Sequence, residues 1–131
     1  MTMRGESGFT LLEVLMALFL LGICVLATAP MFMHASRTNG ASVDILLANS
    51  LAVQRMELLR TQGFGALATG GGLTADVTGY FDTSYPGTTV RWEVAAGANP
   101  PGSLEITVQA TVTAAAGGPQ RSSTMKMLRT P

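Results

Sequence analysis

Hydrophobic and polar positions divide this chain into stretches of different period. From Phe9 to Met33 the run FTLLEVLMALFLLGICVLATAPMFM is almost wholly apolar, with Glu13 and Cys24 its only ionisable side chains. Wound as an α-helix of about 25 residues it reaches roughly 37 Å, more than the ~30 Å of bilayer hydrocarbon, so the stretch predicts a membrane span. His34 to Gly40 is polar, the expected exit from the membrane, and His34 is expected at its interface.

Between Ala41 and Gln62 the apolar positions return at helical spacing. At 100° per residue Ile45, Leu47, Ala48, Leu51, Ala52, Met56, Leu58 and Leu59 fall on one broad arc, with Asn49, Gln54, Glu57 and Arg60 opposite. Asp44 and Arg55 interrupt that arc near its centre, about three turns apart, so Arg55 is expected to snorkel or to pair with a residue of the sheet. Asn39-Gly40 could separate this helix from the first, and Gly63 is expected to end it.

Residues 63–87 are rich in glycine and turn formers and read as a connecting loop with at most one short strand. Its Tyr80, Phe81 and Tyr85 either fasten it to the rest of the fold or face a partner. The period then changes to two. Val90, Trp92 and Val94 alternate with polar neighbours, and Leu104, Ile106, Val108, Ala110 and Val112 do so over a longer run. After Gly117-Gly118-Pro119 a third run, Ser122 to Arg129, sets Met125 and Met127 on one face.

Such a sheet has one apolar face, and the amphipathic helix is the only long apolar surface available to cover it. The fold class expected is α+β: a long N-terminal α-helix packed on a small antiparallel sheet of three to four strands. The divisions expected are residues 1–8, an apolar helix over 9–33, an amphipathic helix over 34–62 and a loop with a β-sheet head over 63–131.

Glu13 is the residue that a simple anchor does not explain. A carboxylate one turn inside an apolar run carries a desolvation cost unless a cation meets it. A free or methylated amine at Phe9 would supply that cation, in the same chain or in a neighbour, and each would neutralise the other. The carboxylate would also meet the positive end of the helix dipole.

The segment Gly8-Phe9-Thr10-Leu11-Leu12-Glu13-Val14-Leu15, behind the polar residues MTMRGESG, closely resembles the class III signal of type IV pilins and type II secretion pseudopilins. The resemblance implies cleavage by prepilin peptidase between Gly8 and Phe9, N-methylation of Phe9, and an assembly role for Glu13 against the amine of a neighbouring subunit. It implies partners that are other pilins or pseudopilins joined through the N-terminal helix. The inner membrane would hold the subunit, head in the periplasm, before it enters a pilus or pseudopilus. Gly22 and Pro30 are the helix-weakening residues of the span, and Pro30 is expected to kink it near Leu26.

Composition sharpens this picture. The chain has 131 residues, with eight Lys+Arg balanced by eight Asp+Glu, so once the span is set aside it is long enough for one modest head. No basic cluster offers a footprint for nucleic acid. Cys24 is the single cysteine, which rules out an intramolecular disulfide. Many major pilins of the resembling family close a C-terminal loop with one, so the resemblance narrows to a PilV-type or pseudopilin I-type minor subunit.

Residue types for catalytic chemistry are few in this chain. One histidine and one cysteine cannot supply a ligand cluster, Asp76 and Asp82 lack ligand spacing, and Gly70-Gly71-Gly72 has no lysine beside it, so neither catalysis, metal nor cofactor is expected. The reading is a minor pilin of a type IV pilus, with a minor pseudopilin of type II secretion as the alternative. A different class of protein, a single-span membrane protein with a periplasmic binding head, would keep its N-terminus uncut. A DNA-uptake pilin would differ only in its partner.

Overall fold

A computed structural model describes residues 9–113 and 119–131 of the chain. The leader expected over residues 1–8 and the break expected at Gly117-Gly118 lie outside the described residues. One helix, α1, runs Leu11–Thr61, and the chain divides into two compact units, residues 1–39 and 40–131. Asn39 and Gly40 both keep helical geometry, so this pair does not separate two helices.

In the first unit every described residue is exposed, including Phe9, Leu12, Phe19, Leu26 and Phe32. An apolar segment left bare on every side contributes nothing to a folding core. It is also long and apolar enough to cross a membrane. Gly22 and Pro30 lie inside the helix. Pro30 has no N–H to offer the Leu26 carbonyl, while the Thr28 hydroxyl donates to the Val25 carbonyl at 3.0 Å.

The second unit holds the core. After α1 come a 3₁₀ turn (Phe64–Ala66) and strands β1 (Gly70–Gly71), β2 (Phe81–Asp82), β3 (Thr88–Ala96), β4 (Leu104–Val112) and β5 (Arg121–Arg129). All pairings are antiparallel: β5 lies beside β4, β4 beside β3, and β1 and β2 share the other edge of β3. The sheet therefore has five strands rather than three to four. The three long ones fall where alternation predicts them, whereas β1 and β2 contribute two residues each and carry no period to read.

Register aligns the apolar face. Trp92 stands opposite Val108 and Val108 opposite Met125, and the next row is Val94, Ile106 and Met127. Ile106, Val108 and Ala110 are fully buried, as a central strand under a helix should be. On the outer surface Lys126 donates to Glu105, its diagonal neighbour across the β4–β5 pair.

The helix meets this face through Ala48, Leu51, Ala52, Met56 and Leu59. Those positions follow an i, i+3, i+4, i+8, i+11 pattern, and burying the larger ones contributes about 1.5–3 kcal/mol each. Ala48 and Ala52 have no exposed surface, and their small side chains let the helix backbone come close to the sheet. The buried face is narrower than the arc read from spacing. Ile45, Leu47 and Leu58 stay 40–50% exposed, because a flat sheet touches only a narrow strip of a cylinder.

The helix ends at Thr61, before Gly63. Gly63 adopts φ −59° and ψ 145°, so it is no left-handed cap, and the 3₁₀ turn begins directly after it. The β3–β4 turn is closed by Gly97 N–H donating to the Ser103 carbonyl at 2.8 Å and by the Ser103 hydroxyl donating to the Pro100 carbonyl at 2.7 Å.

Candidate functional site

The N-terminal end of α1 carries the residues singled out by sequence. Phe9 is 81% exposed and precedes the helix, which Thr10 caps. The Glu13 N–H donates to the Thr10 hydroxyl at 3.3 Å and to the Thr10 carbonyl at 3.0 Å, satisfying a donor that the first helical turn would leave orphaned. Thr10 was not among the residues selected by sequence. Its signal is legible in retrospect, since Thr-x-x-Glu is the pattern of a capping box.

This cap places Glu13 in the first turn of the helix, where the macrodipole favours a negative charge. Among the described residues its carboxylate makes no ion pair. No Lys or Arg occurs between Phe9 and Ser36, and Arg37, the first after Glu13, stands about 36 Å further along a helix axis. Among the described residues, its own helix therefore brings no basic side chain within reach of Glu13. Gly8, the residue on the other side of the expected cut, lies outside the described residues.

A second cluster sits in the head. Arg55 is on the buried stripe of α1, and its guanidinium carbon lies 3.6 Å from the centroid of the Trp92 ring. Trp92 is buried in the face of β3, with Tyr80 tilted against it at 6.2 Å between ring centroids. The Tyr80 hydroxyl donates to the Ala68 carbonyl at 2.9 Å, and Trp92 N–H donates to the Tyr80 carbonyl at 3.0 Å. Two glycines make the approach possible. A Cβ on Gly71, which has φ +89°, would stand 2.3 Å from the Trp92 carbonyl oxygen, and one on Gly70 would touch the Tyr80 ring.

Charge around this cluster is sparse. Burial lowers the Arg55 pKa, with the attraction of Asp82 acting the other way. The Asp82 carboxyl is held below its usual range chiefly by the Ser84 hydroxyl, then by the Ser84 N–H at 2.9 Å, with the Arg55 charge a smaller contribution. Arg91, on the outer face of β3, donates to Asp76 at 2.7 Å and ties the glycine loop down. Among the described residues no group of three His, Cys, Asp or Glu side chains is placed to hold a metal.

Residues 3–29 match the family described as the prokaryotic N-terminal methylation motif. The chain carries a class III signal of the type found in type IV pilins and pseudopilins, and the match ends within the apolar half of α1. No curated protein and no solved structure matches the chain.

Proposed function

We propose that this protein is a minor pilin, cut by prepilin peptidase between Gly8 and Phe9, methylated at Phe9, and incorporated into a type IV pilus or used to prime one. The single observation that carries this reading is Glu13: an acid in the first helical turn of an exposed apolar segment, directly behind Gly8-Phe9 and without a basic residue on its own helix within reach. The apolar segment over residues 9–33 holds the subunit in the inner membrane with its head in the periplasm. On assembly the same surface packs against neighbouring helices, and the Phe9 amine of one subunit meets Glu13 of another. Pairing removes two charges that would each be costly to bury alone.

A minor pseudopilin of type II secretion uses the same device with a different machine, and the absence of a cysteine pair suits both. The measurement that tests the shared mechanism is the N-terminal mass of the protein taken from its native membrane. An N-methylated Phe9 as first residue is the expected result. An intact N-terminus at Met1 would overturn the reading in favour of a simple single-span protein.

A further inference from the structure

We infer that the groove beside Arg55 and Trp92 in the head is a binding site for a carboxylate carried on an apolar body. Nothing in the proposed assembly mechanism uses this groove, since it lies in the second unit and involves neither Phe9 nor Glu13.

Arg55 carries five N–H donors. Its guanidinium lies over the Trp92 ring, which contacts the cation but accepts none of its in-plane donors. Among the described residues Arg55 makes neither a hydrogen bond nor an ion pair, and its Nε is buried without a partner. Stacking on Trp92 accommodates the face of the guanidinium but leaves the buried Nε–H without an acceptor, and an unmatched buried donor is costly. A planar acceptor reaching that edge would match it.

The surroundings define that acceptor. A cavity of about 360 Å³ opens beside Arg55, walled by Leu59, Leu67, Trp92 and Val94 with Gln62 and Tyr80 also lining it. That volume suits one ring or one large side chain, which the side chains of Leu59, Leu67, Trp92 and Val94 would meet on the apolar part of a wall that is otherwise polar. Asp82 lines a separate cleft of about 70 Å³ that Arg55 also borders, so among the described residues the larger of the two cavities is lined by one cationic group and no acid. One cation favours a monoanion over a phosphate, and the lack of an acid among the described lining residues disfavours a ligand that also carries an ammonium group. The carboxylate of a small molecule and that of a peptide C-terminus both meet this description.

Trp92 is the only tryptophan of the chain, so its fluorescence reads the site directly. The full-length protein in detergent is titrated with 3-phenylpropionate and with the neutral 3-phenylpropanamide. A saturable change in emission with the acid, at least about tenfold weaker with the amide, is expected. Arg55→Met should abolish the preference for the acid, and Arg55→Lys should retain part of it. A short peptide ending in Phe is compared with its C-terminal amide, and preference for the peptide acid over phenylpropionate identifies a chain terminus as the source. Equal responses to acid and amide in the unaltered protein, or no saturable response to either acid, would overturn the assignment without reference to any variant. Success here is independent of whether Phe9 is methylated.

Discussion

The guanidinium of Arg55 lies 3.6 Å from the centre of the Trp92 ring, joining the buried stripe of α1 to the middle of β3. These two residues are 37 positions apart, and their contact explains how a charged side chain occupies the centre of an otherwise apolar helix face. The ring offers its negative face to the cation and takes up its apolar stem, so burial is tolerated without a salt bridge.

A double-mutant cycle tests this pairing. Arg55→Met and Trp92→Leu, separately and together, should show a coupling of about 1 kcal/mol in denaturant unfolding followed by circular dichroism of the full-length protein in detergent. Strict additivity of the two changes would show that the stacking contributes nothing to stability.

Gly71→Ala should destabilise the head by about 2 kcal/mol or more. The new Cβ would lie 2.3 Å from the Trp92 carbonyl oxygen at a backbone φ of +89°, and neither the strand nor the residue can move without breaking the β1–β3 pairing. Gly40→Ala is the matched control. It sits inside the helix with open space around its Cβ and should raise stability by about 0.5–1 kcal/mol. Thermal melts of the two variants should move in opposite directions.

Asp82 makes stability pH-dependent. Its folded pKa is lowered by the Ser84 hydroxyl and N–H, so the ionised form favours the fold at all pH above the unfolded value near 3.9. That contribution is lost as pH falls through the lowered folded value. Asp82→Asn should therefore melt earlier than the unaltered protein at pH 7, by no more than about 1 kcal/mol for so open a group. The two melting curves should converge in acid, and a gap that persists below the carboxylate range would point to packing rather than charge.

Glu13→Ala should leave cleavage largely intact and impair incorporation into the filament, measured as the ratio of processed subunit in membranes to subunit in sheared fibres. Glu13→Asp, which keeps the charge on a shorter arm, should recover part of the loss. Normal incorporation of Glu13→Ala would remove the assembly role. Gly8→Ala should slow processing, and an unchanged rate of maturation would contradict the assigned cut.

Much of this architecture was readable from local pattern. The apolar stripe, the three long strands and the Glu13 motif each show a period or a spacing within a few residues of chain. The two-residue strands were not readable, because Gly70-Gly71 and Phe81-Asp82 pair with β3 only where the loop happens to be drawn alongside. Thr10 was overlooked beside the more conspicuous glutamate, although its cap is as local as any feature here.

The sequence by itself determined the chemical character of each segment and the period at which apolar groups recur, since both depend on neighbouring residues and on the fixed geometry of helix and strand. It thereby settled that a bare apolar helix bears one acid near its start and that a half-covered sheet follows. Only the tertiary structure decided which part of the helical arc is buried, leaving Ile45, Leu47 and Leu58 outside, and which ring receives Arg55. Those choices depend on where a cylinder touches a sheet and on strand register across long separations, neither of which leaves a trace in any single stretch of chain.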